Sequence, residues 1–142
     1  MNEGEINIVW PTDVVLATHV FMGYIDISSA GLRALMFIRK IWSEQSSQQF
    51  VENYSGKIKL GGQNISKAWK DCSRCTEPES SLEICTFFDK ERVPVVSFLF
   101  LNAILPAEIV TGVAIDLAQG LISRKVRNLT LIDINSVMIW LQ

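Results

Sequence analysis

The sequence is poor in charged residues and in the side chains that carry most catalysis. Charged residues make up 20% of 142, and there are one histidine and three cysteines. Soluble domains are typically about one quarter charged. Hydrophobic residues reach 49%, and the mean hydropathy is +0.25. A small domain has much surface, so we expect part of this apolar surface to be buried against another protein or a second copy.

No apolar run is long enough to span a bilayer, which takes about 20 residues. The longest apolar stretch is 93–105, and Pro94, Ser97 and Asn102 interrupt it. The first residues are acidic and polar, whereas a secretory signal begins with basic residues followed by an apolar run. We therefore expect no membrane span and a cytoplasmic protein, or a nuclear one if the source is eukaryotic.

Positive charge is also scarce, because the net charge is −2 and the pI is about 5.4. A basic patch is the usual mark of nucleic-acid binding, so we expect no nucleic-acid partner. Two short basic clusters, at 39–40 and at 124–127, fall where helices are predicted to end. Charges there complement the helix dipole, and we assign them that structural role.

The cysteines do not form a recognisable metal or disulfide framework. Cys72 and Cys75 have the spacing of a metal or redox pair, but only Cys85 and His19 remain as further ligands, and neither has a standard spacing. A thioredoxin-like pair would follow a strand, whereas this pair follows a helix-like segment. We expect three reduced, metal-free cysteines.

The remaining candidates for catalysis are isolated. His19 lies inside an apolar segment, where a core histidine with one hydrogen bond is the favoured interpretation. Asp26, Asp116 and Asp133 are far apart in the sequence, although Asp133 follows a predicted strand, where active sites of α/β folds often lie. The nucleophile motif G-x-S-x-G and both common phosphate-binding glycine motifs are absent. We expect no catalytic residue, cofactor or metal.

Hydrophobic periodicity predicts alternating strands and helices. The predicted strands cover 6–10, 14–22 (ended by Gly23), 57–60, 83–88, 95–101 and 128–134. One helix is predicted to open at Ser28-Ser29-Ala30-Gly31, with a serine as its N-cap, and a short one to cover 65–72. A third begins at Pro106. Its apolar stripe consists of Val110, Val113, Ala114, Leu117, Ala118 and Leu121.

These elements predict an α/β fold in one domain, residues 1–142. We expect a single-layer mixed sheet of five to seven strands, with the two main helices on one face. The strand–helix–strand order over 95–134 predicts one βαβ unit near the C-terminus, with its two strands paired in parallel. A polar turn at 89–92 predicts a hairpin between the strands on either side of it.

The segment 24–36, Tyr-Ile-Asp-Ile-Ser-Ser-Ala-Gly-Leu-Arg-Ala-Leu-Met, resembles the signature of STAS domains, the anti-sigma-factor antagonist family. The resemblance covers 24–72. It implies a regulatory protein-binding domain in which Ser29, two places before the glycine, is the phosphorylation site, with Ser28 beside it. The family has two strands and a helix before this signature, but here only 23 residues precede Tyr24. Either the order of elements is permuted, or the match is a helix cap without family meaning.

We therefore expect a non-enzymatic protein-interaction module, and two versions stay open. One is a STAS-like regulator switched by phosphorylation of Ser28 or Ser29, where a phosphate would meet the positive end of the helix dipole. The other is a small structural subunit, or an assembly factor or chaperone, of a larger complex. A small α/β enzyme is the third alternative.

Overall fold

The computed structural model describes residues 6–25, 30–45, 50–75 and 81–132. Its strands are β1 (Ile6–Val9), β2 (His19–Tyr24), β3 (Phe50–Leu60), β4 (Ser81–Phe88), β5 (Pro94–Asn102) and β6 (Asn128–Leu131). Its helices are α1 (Ala30–Gln45), α2 (Gln63–Lys70) and α3 (Ala107–Ser123). The strands form one strongly curled sheet in the order β1-β3-β4-β5-β2-β6. The predicted α/β class, with a mixed sheet of five to seven strands, is confirmed.

The sheet combines an antiparallel half with a parallel half. Neighbours from β1 through β3 and β4 to β5 are antiparallel, whereas β5, β2 and β6 are parallel. The prediction that the strands flanking α3 are parallel is correct, because β5 and β6 both run parallel to β2. The prediction that they pair directly is wrong, since β2 lies between them.

The two long helices lie on opposite faces of the sheet, so the prediction of a single face is wrong. Strand order explains the difference. The connection through α1 leads from β2 towards β3, and the connection through α3 leads in the other direction, from β5 to β6. Because strand–helix–strand crossovers are right-handed, crossovers in opposite directions place their helices on opposite faces.

Each face has its own core. On the α3 face, even-numbered residues of β2 and β4 and odd-numbered residues of β5 pack with α3. On the α1 face, alternate side chains of β4 and β5 pack with Leu35, Ile38 and Trp42. This alternation is what a sheet with both faces covered requires.

The start of β2 differs from the prediction because residues 14–18 are not a strand. The N–H of Ala17 and the carbonyl of Val15 bind side-chain hydroxyls of the sheet instead of a neighbouring strand. Gly23 does not end β2, which continues to Tyr24. A Cβ on Gly23 would lie 2.9 Å from Cδ2 of Leu35, so glycine permits the close approach of α1.

Several local predictions are confirmed. Helix α1 begins at Ala30, α3 follows Pro106, and β4 and β5 form the expected hairpin. The carboxylate of Asp89 organises that turn by accepting the N–H groups of Glu91 and Val93. The predicted capping residues Ser28 and Ser29 lie outside the described residues. Within the described ranges, no helix is both long and apolar enough to cross a membrane.

Candidate functional site

His19 has a structural environment on the α1 face. Its Nε2 lies 2.9 Å from Oγ1 of Thr130 on β6, and its ring stacks on Phe21 with centroids 4.7 Å apart. The hydrogen bond links β2 to the parallel strand β6, and the imidazole ring covers the ring of Phe21. These contacts agree with a packed histidine that makes one hydrogen bond.

Among the described residues, the acidic candidate Asp116 has a structural role. The Asp116 carboxylate accepts the N–H of Ile8 at 2.9 Å, which fastens α3 to β1. Asp26 and Asp133 lie outside the described residues. In the part of the chain that is described, no three histidine, cysteine or acidic side chains are close enough to hold a metal ion.

The cysteines correct one prediction. Cys72 and Cys75 form a disulfide just after α2, so the expectation of three reduced cysteines is wrong for this pair. The spacing of two intervening residues allows their Cα atoms to lie 5.5 Å apart, within the normal range for a disulfide. Cys85 is free and buried on the α1 face. Burial raises the pKa of its thiol, an effect that Arg39 partly offsets.

The two basic clusters differ in their roles. Arg124 follows α3, donates to the carbonyl of Gly120 at 3.0 Å, and lies 4.3 Å above the ring of Trp10. This contact with a last-turn carbonyl agrees with the predicted C-terminal role. The other cluster was placed wrongly, because α1 continues beyond Arg39 and Lys40 to Gln45.

A large apolar groove lies between α3 and the carboxyl ends of the parallel strands. Its volume is about 810 Å³. We call it the α3 groove. It is lined by Met22, Tyr24, Ile25, Leu101, Ala103, Ile104, Leu105, Val110, Val113, Ala114, Leu117, Ala118, Leu121, Leu129 and Leu131. Fourteen of these fifteen side chains are wholly apolar, and the exception is Tyr24.

The groove exists because α3 does not lie centrally over its side of the curled sheet. The backbone of α3 lies closest to β1, where Gly112 meets Ile6 and Asp116 binds Ile8. The opposite flank of α3 is therefore separated from β2 and β6. Val110, Leu129 and Leu131 border the opening and remain 47%, 47% and 42% exposed.

The apolar surface continues from the groove onto the outer side of α3. The residues Val110, Ala114 and Ala118 follow one another every four positions along the groove wall, and all three are exposed. The same row reaches Ile122, which is 72% exposed. The predicted apolar stripe is half correct. Its residues Val113, Leu117 and Leu121 are buried together with Ile109, whereas Val110, Ala114 and Ala118 are exposed.

A smaller hollow of about 320 Å³ lies on the α1 face between α1 and β4. Its lining includes Arg39, Glu83 and Cys85 beside Leu35 and Phe98. The hydroxyl of Ser55 donates to the Glu83 carboxylate, so this acid has a local partner. The hollow lies on the sheet face away from the α3 groove.

The predicted regulatory residues Ser28 and Ser29 lie outside the described residues. The adjacent Ile25 lines the α3 groove, and its N–H donates to the carbonyl of Leu101 at 3.1 Å. One residue that lines the α3 groove is therefore close in the sequence to both serines. Comparisons of this chain with protein-family models, curated proteins and solved structures find no match.

Proposed function

We propose that this chain is a non-enzymatic protein-interaction module that binds an apolar segment of another protein, or of a second copy, in the α3 groove. One observation carries the proposal. Val110, Leu129 and Leu131 are almost half exposed around a groove of about 810 Å³, and the described residues that line it offer one hydroxyl and no charge. Contiguous exposed apolar surface of this kind is typical of interaction sites.

The shape of the groove favours a helical or extended peptide segment as the ligand. One wall is a helix with alanines at 114 and 118, which allow another backbone to approach closely. The opposite wall consists of the branched side chains of β6. Recognition of an amphipathic segment by such a groove uses apolar anchors three or four residues apart. Affinity would come mainly from burial of apolar surface.

An enzymatic function has less support. His19 and Asp116 each have a structural hydrogen-bond partner, and they lie on different elements. Among the described residues that line the groove, the phenol of Tyr24 is the only acid, base or nucleophile. A small α/β enzyme therefore remains the weakest of the three alternatives.

The test compares substitutions inside and outside the groove. Val110→Asp and Leu129→Asp place a charge at its opening, while Phe37→Asp adds the same charge at an exposed apolar position of α1. We expect purified wild-type protein to self-associate, or to co-purify with a partner at fixed stoichiometry. The groove variants should lose this association and the α1 variant should keep it. A stable, monodisperse 16.0 kDa species without a stoichiometric partner would refute the proposal.

Regulation by phosphorylation is the finer version of the proposal. Ser28 and Ser29 follow Ile25, which lines the groove, by three and four positions in the sequence. A phosphate carries about −1.5 to −2 charges and would disfavour an apolar ligand nearby. Ser29→Asp should then weaken the association that Ser29→Ala preserves. Equal association of both variants with the wild type would favour the structural subunit or assembly factor, which has no switch.

The cytoplasm, or the nucleus in a eukaryote, remains the proposed location. Disulfides persist mainly in oxidising compartments, so the Cys72–Cys75 pair provides a test. The disulfide therefore argues against a reducing compartment, and rapid alkylation of protein from its native source measures the fraction of this pair that is oxidised there. An oxidised pair in most molecules would argue for an oxidising compartment.

A further inference from the structure

The hollow between α1 and β4, here called the α1 hollow, places one cation and one anion beside an apolar floor. We propose that it binds a free α-amino acid with an apolar side chain, whose carboxylate meets Arg39 and whose ammonium group meets Glu83. The site lies on the sheet face away from the α3 groove, so the inference goes beyond the proposed function and does not depend on it.

Arg39 provides a cationic group without a matching anion. Its guanidinium has five N–H donors, and the Cys85 thiol beside it is only a weak acceptor. Burial raises the pKa of that thiol, so the thiol stays protonated at neutral pH and does not compensate the guanidinium charge. Within the described residues, Arg39 has no carboxylate partner, since the ion pair found there joins Lys40 to Glu44. Asn53, directly opposite Cys85 on β3, adds an amide donor for a bound carboxylate.

Glu83 provides an anion in the same hollow. It is two residues from Cys85 on one face of β4, which is about 7 Å along the strand. The Ser55 hydroxyl donates to its carboxylate at 2.7 Å, and a carboxylate has further acceptor sites for an ammonium group. The two charged groups of an α-amino acid are attached to one carbon atom, so with a hydrogen bond of about 2.8 Å at each end they bridge a gap of this size.

The apolar part of the lining accounts for the side chain of the ligand. Phe98 and Phe100 of β5 lie opposite Cys85 and Glu83, on the side of β4 away from β3. Leu35 of α1 adds to this floor, and Leu35 and Phe98 are only 1% and 3% exposed. The volume of about 320 Å³ is at the lower end of the range for ligand pockets, which suits one amino acid better than a peptide.

The two charges together select against simpler ligands. A carboxylate without an amine would bind Arg39 but would be repelled by Glu83, and an amine without a carboxylate would meet the reverse conflict. A zwitterion pairs with both side chains and leaves neither charge opposed.

The test is isothermal titration calorimetry of the full chain with L-leucine, L-phenylalanine and three partial ligands. Isocaproate is leucine without the amine, isoamylamine is leucine without the carboxylate, and glycine lacks the apolar side chain. Leucine or phenylalanine should bind at one site per chain. Each partial ligand should bind at least about tenfold more weakly, because it loses either a hydrogen bond between charged groups or the burial of apolar surface.

Two substitutions assign the charges. Arg39→Gln should weaken leucine binding at least about tenfold, while isoamylamine binds no more weakly than to wild type. Glu83→Gln should also weaken leucine binding, but it should strengthen isocaproate binding because the repulsion is removed. The matched controls Arg33→Gln and Glu91→Gln remove the same charges at exposed positions outside the α1 hollow, and they should bind leucine like wild type.

The outcomes separate this inference from the proposed function. Absence of saturable binding of leucine and phenylalanine up to about 10 mM would overturn the inference. Equal binding of leucine and isocaproate would overturn it too, as would leucine binding that Arg39→Gln or Glu83→Gln leaves unchanged. The groove variant Val110→Asp changes the opposite face and should bind leucine like wild type. Failure of the leucine test therefore leaves the α3 groove as a docking site, and failure of the association test leaves the α1 hollow as a ligand site.

Discussion

The hydroxyl oxygens of Thr86 and Ser97 lie 2.7 Å apart on adjacent strands, both fully buried. Thr86 donates its proton to the carbonyl of Val15 at 2.8 Å, so the proton between the two hydroxyls comes from Ser97. Ser97 in turn accepts the N–H of Ala17 at 2.9 Å. This chain of hydrogen bonds attaches residues 14–18 to the α3 face of the sheet.

The direction of this chain predicts that Ser97→Ala is more damaging than Thr86→Val. Ser97→Ala leaves the N–H of Ala17, a residue only 1% exposed, without its acceptor, and should cost about 1–3 kcal/mol. Thr86→Val leaves that bond intact. It frees the carbonyl of Val15, a residue 39% exposed, and the hydroxyl proton of Ser97, which can rotate whereas a backbone N–H cannot. Thr86→Ser keeps the hydroxyl and serves as the control. Urea unfolding measures all three, and a Ser97→Ala variant as stable as wild type would contradict the assignment.

Two glycines of α3 should respond differently to alanine. A Cβ on Gly120 would lie 2.5–2.7 Å from three ring atoms of Trp10, and the guanidinium of Arg124 lies over the same ring. A Cβ on Gly112 would lie 2.6 Å from Cδ1 of Ile6, the end of a flexible side chain. Alanine is intrinsically better in a helix by about 1 kcal/mol.

We therefore expect Gly112→Ala to be neutral or stabilising in thermal unfolding. Gly120→Ala should be destabilising, because displacing a packed indole costs about 1–3 kcal/mol. If Gly120→Ala raised Tm as much as Gly112→Ala, Trp10 would not pack against α3 at Gly120. Trp10→Leu in the Gly120→Ala background should relieve the clash and provides the internal control.

Because of Tyr54, the free energy of unfolding should fall as the pH becomes alkaline. Burial, and then the hydrogen bond to Glu52 and its negative charge, raise the pKa of Tyr54 from 10.0 to about 12. The folded state therefore holds the phenolic proton more tightly than the unfolded chain. This contribution to stability is complete below pH 10 and is lost as pH rises from 10 towards 12.

The titration can be followed by phenolate absorbance in Tyr24→Phe protein, where Tyr54 is the only remaining tyrosine. We expect the pKa to fall when Glu52→Gln removes the neighbouring charge but to stay above the ordinary value, because burial persists. Tyr54→Phe should remove this part of the alkaline loss of stability. A Tyr54 that titrates at 10.0 in the folded protein would contradict the prediction.

Features that depend on neighbouring residues in the sequence were predictable. The hairpin at Asp89, the start of α1 at Ala30 and the helix after Pro106 follow from turn residues and from apolar periodicity. The α/β class follows from the alternation of those elements.

Features that depend on strand order were not predictable. The opposite positions of α1 and α3 follow from the place of β2 between β5 and β6, which no local pattern encodes. The groove was missed for a related reason. Periodicity placed Val110 and Ala114 on an apolar stripe, but their exposure depends on the displacement of α3 towards β1. Gly23 was interpreted as the end of a strand, because a close approach by a distant helix leaves no mark in the adjacent sequence.

That contact leads to a prediction about α1. A Cβ on Gly23 would lie 2.9 Å from Cδ2 and 3.2 Å from Cβ of Leu35, and 3.5 Å from the carbonyl oxygen of Gly31. Leu35 is 1% exposed and packs in the core of the α1 face, so it has little room to move. Gly23→Ala should therefore cost about 1–3 kcal/mol by overpacking.

Leu35→Ala should cost about 2–5 kcal/mol, because it removes buried surface and leaves a cavity. In the double variant, the methyl group on residue 23 has the space that the leucine vacated, so the clash disappears and part of the cavity is filled. The double variant should be more stable than the sum of the single effects predicts, by about 1 kcal/mol or more, within the range found for residues in contact. A double-mutant cycle in urea measures this coupling. Strict additivity would mean that residues 23 and 35 do not touch, and the position of α1 on β2 would then be wrong.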